Sequence, residues 1–123
     1  MANFESDAVV LNANCDEVFD FLADFRNMKS FMPPQVQAWE ADKDNCSFEI
    51  SGLGRFQMRM AAQSPGRNLH IVSEGKNPVE YSLDYFLREK DDQRCELRVL
   101  FEAGLNPMMK MVAGNALQNL ADI

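Results

Sequence analysis

Between Tyr81 and Leu87 every second residue is apolar, so that Tyr81, Leu83, Tyr85 and Leu87, with Val79 ahead of them, face one way. Glu80, Ser82, Asp84 and Arg88 face the other, and a period of two is that of a half-buried strand. The charged run REKDDQR, residues 88–94, predicts a hairpin loop. Beyond it Cys95, Leu97, Val99 and Phe101 alternate with Glu96, Arg98 and Glu102, which predicts an antiparallel partner with one face on the core. Earlier in the chain Phe48 and Ile50 alternate within Ser47–Ser51. Phe56, Met58 and Met60 alternate with Gln57 and Arg59 within Arg55–Met60, and Gly52 and Gly54 bracket the turn between the two segments. Pro65 and Gly66 predict a further turn and Asn68–Ser73 a further strand.

The period changes at both ends. After a first strand over Phe4–Leu11, Asn14 is placed as an N-cap answered by Glu17, and Val18, Phe19, Phe21, Leu22 and Phe25 form a helical apolar face. A short second helical turn over Asn27–Phe31 is stopped by Pro33 and Pro34. At the other end Asn106 caps a helix with Pro107 at its first position, and Met109, Val112, Ala116, Leu120 and Ile123 recur at helical spacing along one face. Strand, helix, short helix, six strands and a long helix imply an α+β fold with helices on one face of an antiparallel sheet.

Composition narrows this reading. A chain of 123 residues with 46% hydrophobic residues and no low-complexity tract is expected to be one domain, 1–123. The formal net charge of −7 repels phosphate backbones, so no nucleic-acid partner is expected. MANFESDAVV lacks the basic start and apolar core of a signal peptide, and no apolar run is long enough to span a bilayer. No integral membrane association and a cytoplasmic location are therefore expected. Cys15, Cys46 and Cys95 are odd in number, widely spaced and without a C-x-x-C pair, which suggests reduced thiols. With His70 the one histidine, no metal site and no cofactor are expected.

The element order, together with A-x-x-x-E-V-F-D-F-L-A-D-F at Ala13–Phe25, F-M-P at Phe31–Pro33, Trp39, and G-L-N-P-M-M-K at Gly104–Lys110, resembles the START/Bet v 1-like (SRPBCC) superfamily. Its small bacterial polyketide cyclase/dehydrase and lipid-transport-like members are the most similar. The resemblance implies a helix-grip fold: a seven-stranded curved antiparallel sheet around the long C-terminal helix, two short helices after strand 1, and a cavity between sheet and helix. Asn14 stands where many relatives carry proline.

The expected cavity wall is Phe56, Met58, Met60, Tyr81, Leu83, Tyr85, Leu97, Val99 and Phe101 from the sheet, with Met109, Val112 and Ala116 from the last helix. Apolar alternation alone is what any half-buried sheet requires. Tyr81 and Tyr85 are the distinctive members, since a buried phenol needs a hydrogen-bond partner and can orient a ligand. Binding or transport of a small apolar molecule is the leading expectation, with no catalytic residue assigned. A cyclase, dehydratase or isomerase would need His70, Tyr81 or Tyr85 and an acid to converge in the cavity. A protein-interaction module would show a closed core and an exposed apolar patch. Oligomeric state is not legible in the sequence.

Overall fold

The computed structural model describes residues 2–5, 8–75, 77, 80–103, 111, 115 and 118–120. Two N-terminal segments, β1 (Ala2–Glu5) and β2 (Val9–Leu11), lead into α1 (Cys15–Leu22), α2 (Phe25–Met28) and a 3₁₀ turn over Lys29–Phe31. Six strands follow: β3 (Val36–Ala41), β4 (Asn45–Ile50), β5 (Gly54–Ser64), β6 (Asn68–Ser73), β7 (Tyr81–Asp91) and β8 (Arg94–Ala103). All pairings are antiparallel, and β3 to β8 lie side by side in chain order. β1 and β2 both pair with β8, so together they fill one position and the sheet is seven strands wide.

Local chemistry accounts for most element ends. Asn14 Oδ1 accepts from Glu17 N at 2.9 Å while its Nδ2 donates to Glu17 Oε1 at 2.8 Å, closing a reciprocal cap on α1. The expected second helical turn begins earlier than the prolines alone suggest. Asp24 caps α2 by accepting from Arg26 N, so Phe25 starts a new helix instead of ending the first. Val18, Phe19, Leu22, Phe25 and Met28 are buried, and α1 packs on β6, β7 and β8.

The charged run expected as a loop is mostly strand. β7 continues to Asp91 and β8 begins at Arg94, leaving a two-residue turn. Arg88 faces Glu96 across the ladder, and Asp91 closes the turn by accepting from Gln93 N at 3.0 Å and from Arg94 Nε at 2.6 Å. A strand that has run past the core has no apolar partner to alternate toward, so its periodicity disappears while its pairing persists.

The expectation of three reduced thiols is corrected: Cys15 and Cys95 form a disulfide with Cα atoms 4.9 Å apart. Eighty residues separate them in sequence, and their proximity comes from register. Leu11 pairs with Cys95, so the chain leaving β2 starts α1 beside that end of β8. Cys46 is a free, buried thiol.

Of the expected C-terminal helix, residues 111, 115 and 118–120 are helical. Leu120 is buried, as its place on the apolar face requires, and Asn119 Nδ2 donates to Phe31 O at 3.2 Å. The remainder of the expected helix, 106–123, lies outside the described residues, and so does Val79.

Candidate functional site

The sheet sets the expected wall residues in register. Met60 pairs with Ile71, Ile71 with Leu83 and Leu83 with Phe101, a row running across four strands. The next row is Leu69, Tyr85 and Val99, and Leu87 and Leu97 follow. All nine sheet residues named from the sequence thus share one face, the one on which the helices pack. Phe56, Met58, Tyr81, Tyr85, Leu97, Val99 and Phe101 are buried, and Met60 and Leu83 are half-buried. Met109, Val112 and Ala116 lie outside the described residues.

A chain of ring contacts runs along this inner face. Trp39 stacks on Phe48 with centroids 5.3 Å apart, and Phe48 stacks on Phe56 at 5.6 Å. Phe56 meets Tyr81 edge-on at 5.9 Å, and Tyr81 stacks on Phe101 at 5.9 Å. These separations are those at which aromatic pairs attract beyond their buried area. A bulge in β3 sets the first ring: the register shifts between Gln37 and Glu40, and Ala38 adopts a φ of +53°. Trp39 then donates its indole N–H to Phe25 O at 2.9 Å, tying the edge strand to α2.

Few polar groups reach this face. Tyr81 directs its hydroxyl to Gln57 O at 3.5 Å, a long contact, while Tyr85 lies in the next row between Leu69 and Val99. Tyr85 is only 4% exposed. Burial pushes both phenols well above their ordinary range, with Cys46 adding to the effect on Tyr81. Burial, with Asp42 adding to it, also pushes the Cys46 thiol up to about 12. All three groups are therefore held neutral at ordinary pH. Cys46 and Met58 border a recess of about 280 Å³ between the β3–β4 hairpin and Glu74.

His70 is not part of this face. Its register partner is Asp84, and the two side chains meet on the outer face, Nδ1 to Oδ1, at 2.9 Å. The convergence that an enzyme built on His70 and Tyr81 or Tyr85 requires is absent, because residues 69, 71, 83 and 85 point inward where 70 and 84 point outward. Among the described residues no group of His, Cys, Asp and Glu is disposed to hold a metal ion. The exposed large apolar side chains there, Val10, Phe86 and Met111, stand on three different elements. No helix of the described residues is long and apolar enough to cross a membrane.

No family model matches the chain, and no curated protein is similar to it in sequence. Solved structures are similar in shape. A START superfamily protein from Mycobacterium smegmatis superposes with a TM-score of 0.71 at 14% identity, over 98% of this chain and 92% of that one. XoxI from Bacillus cereus gives 0.76 at 10% identity, over 99% and 94%. The di-domain ARO/CYC protein BexL, from the BE-7585A biosynthetic pathway, gives 0.67 at 18%, covering 98% of this chain and 44% of that protein. The chain has the START/Bet v 1-like fold.

Within that START-like fold Trp39, Phe48 and Cys46 join the inner face beyond the wall residues expected from the sequence. Phe48 and Cys46 share the period of β4, whose burial alternates through Cys46, Phe48 and Ile50, so that signal was present. Trp39 lies beyond a bulge with no glycine to mark it. Gln35 precedes β3 in a turn, and its Oε1 is buried without a partner among the described residues.

Proposed function

We propose that this START-like domain binds a small hydrophobic molecule against the inner face of its sheet, with the Tyr85 hydroxyl as the orienting polar contact. One observation carries the reading: a phenol buried on the inner face, set beside Leu69 and Val99 in an otherwise apolar row. A phenol on an apolar wall offers a ligand with an acceptor or donor of its own one orienting hydrogen bond. The half-buried Met60 and Leu83 support the same reading, since they share a row whose other members, Ile71 and Phe101, are closed off. The START superfamily and ARO/CYC likenesses agree with an apolar ligand of modest size.

Carriage is favoured over catalysis because Cys46, Tyr81 and Tyr85, the titratable groups described on this face, are held neutral and His70 faces away. Native mass spectrometry of the purified chain should reveal a co-purified apolar molecule. Tyr85→Phe should leave the fold intact and weaken binding about tenfold, the equivalent of one hydrogen bond at ~1.4 kcal/mol. Unchanged affinity in that variant would remove Tyr85 from the site.

A further inference from the structure

We infer that the Cys15–Cys95 pair is a thiol–disulfide exchange site, entered at Cys15 by a small thiol or disulfide through a cleft on the flank of α1. The inference is independent of any ligand on the inner face. It rests on three observations. The two residues differ in access: Cys95 is fully buried beside Leu11, whereas Cys15, the first residue of α1, is partly exposed. A cleft of about 720 Å³ opens onto Cys15 from between α1, the β5–β6 turn and the far end of β7, and Cys95 does not line it. The third thiol, Cys46, is buried on a strand four places from β8 and held protonated, so it does not compete as nucleophile.

Gly66 has a φ of +73°, which strains any other residue, and a Cβ there would stand 3.1 Å from the Asp16 carboxylate, so the β5–β6 turn lies close against the start of α1. The rim carries Asp16, Glu89, Asp91 and Asp92 against Arg67 and Arg88, with Asp91 already engaged by Arg94. The balance is acidic. A small thiol bearing an amine is therefore the class of reagent this cleft admits most readily, and one bearing a carboxylate the class it repels.

In the reducing direction an incoming thiolate attacks Cys15 Sγ. A mixed disulfide forms there, the bond to Cys95 breaks, and Cys95 leaves as a thiolate that takes a proton from water. A second thiolate attacks the reagent's sulfur, releasing Cys15 and the oxidised reagent; two small thiols are oxidised and one protein disulfide is reduced. In the oxidising direction a small disulfide caps Cys15, and Cys95, with its Cα 4.9 Å from that of Cys15, displaces the cap. The oxidised pair clamps the start of α1 to β8. In the reduced form α1 keeps the packing of Val18, Phe19 and Leu22 and loses that clamp.

The full-length protein is treated with cysteamine, 2-mercaptoethanol and 3-mercaptopropionate at equal thiolate concentration, quenched in acid and mapped by peptide mass spectrometry. The first adduct is expected on Cys15, with none on Cys95 or Cys46. Cysteamine should react at least about threefold faster than the carboxylate, and the gap should shrink in high salt. The reduced protein given cystamine should return to the Cys15–Cys95 disulfide. Cys95→Ser should instead retain the cap on Cys15. A first adduct on Cys95, a reduction rate equal to the rate of global unfolding, or one rate for all three reagents would overturn the inference, and the wild-type mapping decides it even if Cys95→Ser does not fold.

Discussion

The chain has two tyrosines, and both sit buried on the inner face, so alkaline titration isolates that face from the rest of the molecule. In the unfolded chain the phenols ionise near 10.0 and the Cys46 thiol near 9.0. In the folded protein burial holds the phenols well above that value and the thiol at about 12. A group whose folded pKa is raised contributes its full stability below the unfolded pKa and loses it as pH rises toward the folded one. Each such group costs about 1.4 kcal/mol for every pH unit above its unfolded value. At about pH 11 the two phenols together withdraw roughly 3 kcal/mol and the thiol about as much again, a total comparable to the whole stability of an ordinary domain. Tyrosinate absorbance followed alongside circular dichroism should therefore stay flat past pH 10 and then rise in one cooperative step as the secondary structure is lost. Tyr85→Phe should move that step to higher pH. A smooth titration centred near 10 with native circular dichroism would show that the phenols reach water, and the closed inner face would be wrong.

Other perturbations probe separate parts of the molecule. Replacing both cysteines of the disulfide by alanine should lower stability by about 2–5 kcal/mol in urea titrations, since the bridge closes a long loop; an unchanged midpoint would show the bond contributes nothing to the fold. Phe56→Ala, at a site with no exposed surface in the middle of the ring contacts, should cost about 3–5 kcal/mol, and a loss below 1 would mean the face repacks freely. Hydrogen bonds and charge from Arg26 hold the Asp24 carboxyl at about 2, so that its contribution is present above about 4 and lost as pH falls toward 2; Asp24→Asn should flatten the acid limb of the stability curve. His70→Gln should leave binding of any inner-face ligand unchanged, and a large effect would place the outer face in the function after all.

The strands were legible wherever one face is apolar and the other wet. β7 and β8 announce themselves through Tyr81 to Leu87 and Cys95 to Phe101 because the inner face tolerates no polar side chain there. Legibility stopped where that contrast stops, as at Arg88 to Asp91, which pair as strand with no core beneath them. It also stopped where position depends on register. Nothing in the spacing of Cys15 and Cys95 says that Leu11 lies opposite Cys95, so the disulfide was invisible until the sheet was in hand. His70 falls between two inward residues, Leu69 and Ile71, and the phase of β6 alone decides that it faces out. Trp39 needed the strained backbone at Ala38, which a sequence without a glycine there conceals.

The path of the sheet constrains how the chain folds as it is made. From β3 to β8 each strand pairs with the one just synthesised, a meander whose hairpins close over short loops and zip in order. The N-terminal strand is the exception, because its partner is the last strand, with residue 2 opposite residue 103. β1 and β2 are made before β3 to β8 and wait for all of these strands until the edge they belong to exists. Throughout that interval β2 carries unpaired backbone groups and the apolar Val9, Val10 and Leu11, a short segment able to pair with the wrong edge. Docking of the N-terminus on β8 is thus the long-range step that completes the sheet, and it brings Cys15 to Cys95 in the same event. The bridge records that the first and last strands of the sheet have met.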